Sequence, residues 1–544
     1  MPTLNWVGKE KVVNHHHDVP FRVLNKASIF RAPDGLPDNS TNNRIIHGDN
    51  LEALKSLLPE FECKVTCIYI DPPYNTGNEG WVYNDAVNDP KMKRWLGQVV
   101  GKEGEDLSRH DKWLCMMYPR LKLLHRLLSY EGIIFVSIDD NEAVHLHMLM
   151  NEVFGAENFI ANFVWKRKAG GGDDSEHVAT EHEYVLCYAK RKRQAKINQV
   201  LHESPSMTAK YNREENGRRY YLERLDKTSL TYGETMDFRI ECPDGTFISP
   251  PHPDPNNPTT SWRWSETTVR ERRSELEFLR EKKTKEWRVY TRTWEPMEGV
   301  TPRSLLVEKD FGRNRDGTQE LDSILGPKVF NNPKPTKLLT HLLQMGAADK
   351  DALILDSFAG SGSTGHAVLK LNAQDGGKRR FILCETMDYA QTITAERVRR
   401  VVSGYGEGTK ATGGTGGGFD YFTIGEPMFL PDGNLNEAVG TEAIRGYVAY
   451  SEGIPVDDRA TPQNPHSPSL LGLNRDTAWI FHYEPDRATS LDLDFLASLQ
   501  FGGNTGASKP ATVIIYADRC LLSPIFMTKH GIIFKKIPRD ITRF

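Results

Sequence analysis

No stretch of the sequence approaches the roughly 18–20 consecutive apolar residues needed to cross a bilayer. The opening residues, MPTLNWVGKEKVV, lack the basic-then-apolar layout of a secretory leader. Cysteine is scarce: seven residues, an odd number with no CxxC pair. A disulfide framework and a zinc ribbon are both disfavoured, and a reduced, cytoplasmic setting without a membrane is expected. An excess of one charge is also missing. Lys plus Arg number 69 against 73 Asp plus Glu, a net charge of -4. That excludes a wholly basic coat for nucleic acid and leaves room for a local basic groove. No internal repeat is present.

What is present is ordinary globular material. Hydrophobic residues make up 38% and charged residues 26% of the 544 residues, enough apolar surface for a packed core. The length suits about three to five domains. Residues 1–43 read as a polar N-terminal extension, with PDGLPDNSTNN as a loop. The run His15, His16 and His17 lacks a second cluster of ligands and reads as a polar segment, not a metal site.

From Arg44 a strand–helix rhythm sets in. RIIH, VTCIYI and GIIFVSI read as strands, and LEALKSLL and EAVHLHMLMNEVF as helices, the last closed by Gly155. HDKWLCMMYPRLKLLHRLL reads as a long helix interrupted near Pro119. Alternation of this kind predicts a parallel sheet with helical crossovers.

Between about 160 and 330 the rhythm breaks. SETTVRERRSELEFLREKKTKE predicts one charged helix with i,i+4 ion pairs. Trp262, Trp264, Trp287 and Trp294 suggest a small core for this region. The rhythm returns with PTKLLTHLLQMGA, ALILDSF and RRFILCE. GYGEGTKATGGTGGG suits either a linker or a loop before one last strand, FDYFTIG. The resulting boundaries are 1–43, 44–164, 165–327, 328–427 and 428–544, the last ending in two strand-like runs, ATVIIYA and GIIFKKI.

Two motifs carry chemistry. Asp71-Pro72-Pro73-Tyr74 directly follows the strand VTCIYI, at the edge where open α/β sheets bind ligands. The prolines fix the backbone and remove two N–H donors, leaving the Pro72 carbonyl as a rigid acceptor beside the Asp71 carboxylate. Two acceptors and a flat tyrosine ring suit the exocyclic amine of a nucleobase. They can take both N–H hydrogens and support the positive charge that grows on nitrogen during alkylation.

The second motif runs from Asp356 through Ser357, Phe358, Ala359, Gly360, Ser361, Gly362 and Ser363 to Thr364 and Gly365, between a strand and a helix. It contains GxGxxG, and Glu385 lies 20 residues beyond its last glycine. A nicotinamide enzyme fits that fragment, but it leaves Asp71-Pro-Pro-Tyr without a purpose. S-adenosylmethionine uses both motifs: glycines permit close approach to its amino-acid end, and Glu385 offers an acceptor to its ribose.

With Phe358-Ala-Gly-Ser-Gly, Asp71-Pro-Pro-Tyr resembles the amino-group DNA methyltransferases. The catalytic motif precedes the cofactor loop, as in their circularly permuted β class. Asp71-Pro-Pro-Tyr-Asn-Thr-Gly, Thr180-Glu-His-Glu-Tyr-Val-Leu, Asn332-Pro-Lys-Pro and Phe534-Lys-Lys-Ile-Pro resemble the modification (Mod) subunits of type III restriction–modification systems. The resemblance covers about 44–170 and 328–425.

It implies a Rossmann-like, permuted methyltransferase fold in two halves (44–164 and 328–427), an inserted target-recognition domain (165–327) and a C-terminal domain. It implies methyl transfer from S-adenosylmethionine, without a metal, to the N6 amine of an adenine flipped out of double-stranded DNA. Asp71, Pro72, Pro73 and Tyr74 would hold the base. Asp49, Asn50, Asp356, Phe358, Ala359, Gly360, Gly362, Thr364, Glu385 and Lys334 would hold the cofactor. Lys166, Arg167, Lys168, Lys190, Arg191, Lys192 and Arg193 would face DNA phosphates.

A homodimer, a restriction (helicase/nuclease) partner and a place in the bacterial cytoplasm, on the nucleoid, are further implications. Asp71 favours adenine over the rival N4-cytosine reaction, where serine is common. The alternative from another class is an idle DNA-binding component of a restriction complex, and intact copies of both motifs argue against it. Tyr184 fits either a base contact or the strand core, the commoner place for such a residue.

Overall fold

The computed structural model describes all residues except 1–2, 39–41, 77–108, 171–176, 201–208, 228–231, 255, 298, 308, 461–467, 500–509, 539 and 542–544. Gly77 of the Asp71 motif, and residues 39–41 of the PDGLPDNSTNN loop, lie outside the described residues. Two compact units are present, residues 1–198 with 303–544, and residues 199–302.

The larger unit is built on a ten-stranded sheet. Its parallel heart runs, in spatial order, through Gly418–Pro427, Asn43–His47, Arg380–Glu385, Leu353–Asp356, Val65–Ile70 and Leu128–Ile138. The central strands Leu353–Asp356 and Val65–Ile70 are nearly continuous apolar runs because both faces are covered. Ile68, Ile70, Ile134, Val136, Leu353 and Leu355 join the main core, which also contains Leu51, Leu54, Leu121 and Leu146 from the helices Asn50–Phe61, Arg109–Leu127 and Ala143–Phe154. Residues of opposite parity, Cys67 and Phe135, lie against Gly346 at the end of the helix Thr336–Gly346.

The Asp71 strand and the glycine-loop strand are direct neighbours, Ile354 beside Cys67 and Leu355 beside Ile68. Parallel pairing brings both carboxyl ends to one edge of the sheet. That juxtaposition positions the site.

Several expectations require correction. The 165–327 region is not one domain. Strand His182–Ala189 pairs antiparallel with both Leu128–Ile138 and Phe159–Lys166, so this segment extends the catalytic sheet. The rhythm broke there because a hairpin replaces a crossover. The separate unit is the narrower 199–302, with its own core of Leu225, Ile240, Trp262, Val269, Leu276 and Val289. Trp264 packs on that core, while Trp287 donates to Asp244 (2.8 Å) and Trp294 packs against Tyr220.

The single charged helix predicted over 265–286 is also absent. Ser265 caps a short helix, Glu266–Glu271, and Leu276–Arg280 then forms a strand paired with Trp287–Trp294. Helical charge pairs contribute only about 0.2–0.5 kcal/mol each. Burying Leu276 and part of Phe278 outweighs them at about 25 cal/mol per Å².

The helix Arg109–Leu127 is not interrupted; it runs through Pro119, which is buried in the packed interior. The glycine-rich stretch holds a small hairpin, Gly404–Tyr405 with Thr412–Gly413, before the strand Gly418–Pro427. Residues 428–544 carry their own four-stranded sheet, ordered Leu470–Leu473, Thr477–Phe481, Thr512–Ala517 and Ile532–Lys536, yet belong to the larger unit. Tyr450 ties them to it, donating to Glu62 (2.7 Å) and accepting from Arg126 (3.1 Å). Among the described residues no helix is long and apolar enough to cross a membrane.

Candidate active site

Tyr69, Asp71, Phe330, Asn332, Pro333, Lys334, Leu339, Asp356, Phe358, Ala359, Ser361, Ser363 and Thr364 line one open cleft. Residues far apart in the chain meet here because their strands are neighbours.

The Asp71 side is a hydrogen-bonded ionic network. Lys334 Nζ donates to both Asp71 oxygens, at 2.9 and 2.8 Å. The Tyr74 hydroxyl lies 2.8 Å from Asp71 Oδ1 and 3.1 Å from Glu183 Oε2. Lys334 Nζ is also 3.5 Å from Glu183, and the Arg167 guanidinium is 3.4 Å from it. Burial alone would push the Lys334 ammonium down, but Asp71 and Glu183 outweigh it and the net shift is upward. Burial pushes the Glu183 carboxyl up, against the pull of Lys334 and Arg167. The proline turn is fixed from outside: Trp113 Nε1 donates to the Pro73 carbonyl at 2.6 Å.

The glycine-loop side has a second pair of buried acids. Asp356 accepts from the Phe358 amide (3.0 Å) and the Thr364 hydroxyl (2.5 Å). Glu385 accepts from the Gly360 amide (2.7 Å) and the Met387 amide (2.9 Å). Burial pushes both carboxyls up to about 7 despite those donors. Gly362 is in the left-handed region at φ 78°, and a Cβ there would come within 3.0 Å of the Thr394 carbonyl, so only glycine fits. Asn50 bridges the two halves, donating to the Ser357 carbonyl (3.0 Å) and accepting from Arg120 (2.6 Å). Asp49 caps the helix Asn50–Phe61, accepting from the Leu51 and Glu52 amides.

These residues fit S-adenosylmethionine. A ligand with hydroxyl and ammonium donors meets acidic acceptors, and the Ser357 hydroxyl is buried without a hydrogen-bond partner. The raised acids also predict a pH dependence. Neutral carboxyls tolerate burial, so their stabilising contribution is full below the unfolded values near 4 and is lost as pH rises through about 7. Melting temperature should therefore fall between pH 5 and 7.5 more steeply for the wild type than for an Asp356→Asn/Glu385→Gln variant. Equal slopes would contradict the assignment.

The structure gathers Asp71, Pro73, Tyr74, Lys334, Asp356, Phe358, Ala359 and Thr364 at this edge, with Asn50, Gly360, Gly362 and Glu385 directly behind it. Lys334, expected on the cofactor, has its ammonium on Asp71 while its side chain lines the shared cavity. The basic residues are less uniform. Lys166 pairs with Glu181 at 2.9 Å, and Lys168 is half-buried. Lys190 is turned inward, its amine on the Leu128 (2.7 Å) and Arg126 (3.2 Å) carbonyls, so it offers nothing to a phosphate. Arg191 stacks 4.1 Å over Tyr130, Lys192 donates to the Phe159 carbonyl (2.7 Å), and Arg193 is exposed. Tyr184 is half-buried, its hydroxyl 3.0 Å from His182 Nε2.

Sequence reasoning missed Glu183. The signal was an acid at an inward position of an apolar strand, where an unpaired charge is costly.

Comparison with known proteins agrees with this geometry. A family model described as DNA methylase, for N6 and N4 methyltransferases, matches residues 65–396. The StyLTI Mod subunit of a type III restriction-modification enzyme from Salmonella typhimurium is 34% identical over 380 residues, 65% of this chain and 53% of that protein. The EcoPI Mod subunit of Escherichia phage P1 is 32% identical over 419 residues, 70% of this chain and 62% of that protein. The type II methyltransferase M.KpnI of Klebsiella pneumoniae is 33% identical over 367 residues, 64% of this chain and 82% of that protein. The chain thus spans between a half and two thirds of the two Mod subunits. With a family match over most of its length and both motifs assembled at one sheet edge, the chain belongs to the N6/N4 DNA methylase family.

Proposed function

We propose that the protein transfers a methyl group from S-adenosylmethionine to the N6 amine of an adenine flipped out of double-stranded DNA. The observation that carries this reading is that Asp71 and Asp356 line the same cavity. An acceptor pair for an amine lies against a glycine-loop site for a donor molecule. The order of strands along the chain supports reading the fold as a circularly permuted methyltransferase.

S-adenosylmethionine, when bound, supplies an electrophilic methyl group. The protein's task is to orient and polarise the amine. Asp71 and the Pro72 carbonyl take its two hydrogens, and the Tyr74 ring lies along the base. Lys334 must then release at least one Asp71 oxygen, and Glu183, 3.5 Å away, is placed to hold the displaced ammonium. As positive charge grows on nitrogen, the Asp71 carboxylate stabilises it and accepts the departing proton. Calorimetry tests the cofactor: one S-adenosylmethionine per chain is expected, and preferential binding of NADH would overturn the reading.

The separate unit 199–302 is assigned to reading the target sequence through base-edge contacts. Replacing it with the matching segment of a relative should change the methylated sequence and preserve the chemistry. An unchanged methylated sequence would remove the assignment. Resemblance to Mod subunits supports a homodimer and a separate restriction subunit. Light scattering showing a monomer at micromolar concentration would refute the dimer.

A further inference from the structure

One ionisable cluster beside the active loop is used by none of the chemistry above. Glu142 is fully buried at the start of the helix Ala143–Phe154, with no lysine or arginine paired to it among the described residues. His110 Nδ1 lies 2.7 Å from Glu142 Oε1, and His145 Nδ1 lies 2.8 Å from Oε2. The third partner is Asn75, whose side-chain amide donates to Oε1 and also to the Arg109 carbonyl (3.2 Å). Asn75 immediately follows Tyr74 and sits in the left-handed region at φ 58°. Asparagine is one of the few non-glycine residues that adopts that conformation readily.

We infer that Glu142 is a positioning residue for methyl transfer: through Asn75, and braced by His110 and His145, it holds the Asp71–Tyr74 turn at its working geometry. This inference rests on the methyltransferase reading. Glu142 accepts from the Asn75 amide and has a histidine Nδ1 within hydrogen-bond distance of each of its oxygens, so its orientation is fixed from three sides. The cluster anchors the turn immediately after Tyr74, and Trp113 holds it at Pro73. His110 and Trp113 share one helix, so both anchors move as a single body. The same three ionisable groups could hold a divalent cation, their ligand atoms lying within 4.8 Å of one another. The Asn75 amide group, an N–H donor that a cation would repel, sits on Glu142 Oε1, and that contact favours the hydrogen-bonded clamp.

Glu142→Gln keeps the shape and turns one acceptor into a donor. We expect kcat to fall about 10- to 100-fold, the scale for small misplacement of a reacting group, with S-adenosylmethionine and DNA dissociation constants within about twofold of wild type. Amide exchange in a peptide spanning Asp71–Asn75 should rise, a readout independent of activity. Asn75→Asp alone sets two acids against each other and should also be slow. The double variant Asn75→Asp/Glu142→Gln restores a donor–acceptor pair and should recover most of the loss, as coupling in a double-mutant cycle.

Wild-type kcat and exchange in Glu142→Gln, or strictly additive losses in the double variant, would overturn the inference. So would 1:1 uptake of zinc or cobalt(II) that disappears in His145→Ala, since a metal would then replace the clamp. Absence of methyl transfer by the wild type, with the exchange effect intact, would instead count against the catalytic reading.

Discussion

Replacing Asp71 with alanine should cut single-turnover methyl transfer by at least about 10²–10³, the usual scale for a preorganised electrostatic group. The carboxylate gains value as charge builds on the amine, so its loss falls on the transition state more than on ground-state binding. S-adenosylmethionine binding should change little, because Asp356 and Glu385 are untouched and keep their own backbone donors. DNA affinity should survive as well, since phosphate contacts dominate it. The fold should tolerate the change: Lys334 loses Asp71 but retains Glu183 at 3.5 Å. Tyr74→Ala should differ, costing about 1–3 kcal/mol of base stacking and appearing partly as weaker capture of the flipped base, followed by 2-aminopurine fluorescence. Tyr74→Phe keeps the ring and removes only the hydroxyl shared by Asp71 and Glu183. Near-wild-type turnover in Asp71→Ala would remove the catalytic assignment.

Glu385→Ala should weaken S-adenosylmethionine by about 1–3 kcal/mol, the size of a lost hydrogen bond to a charged group. That is a factor of roughly 5–150 in dissociation constant. Two effects add. The acceptor at the carboxyl end of its strand is lost, and the Gly360 and Met387 amides lose their partner, so the glycine loop is less firmly held. Glu385→Gln keeps one acceptor oxygen and should fall between the two. An unchanged constant by calorimetry would refute the assignment of Glu385.

Much of this site was legible in the sequence because it is carried by short, strongly patterned segments. VTCIYI before Asp71 and ALIL before Asp356 are apolar runs with polar residues at their ends, and parallel pairing places such ends together. Illegible were the features that depend on distant partners. Lys334 reaches Asp71 across the sheet edge, and no local spacing announces that contact. Lys190 sits in a basic run that looks solvent-facing, yet its amine donates to the Arg126 and Leu128 carbonyls, where the helix Arg109–Leu127 passes into its strand. The 265–286 segment had helical charge spacing, and only its pairing partner at Trp287–Trp294 made part of it a strand. The two histidines beside Glu142 come from separate helices, so their convergence on one buried acid is a product of packing.

The decisive measurement is to incubate the full chain with methyl-labelled S-adenosylmethionine and duplex DNA, digest the DNA to nucleosides and identify the labelled one by mass spectrometry. Label is expected in N6-methyl-2′-deoxyadenosine, and none when Asp71 is alanine. Label in N4-methylcytosine would overturn the choice of base, and unlabelled DNA with active, cofactor-bound protein would contradict the account as a whole.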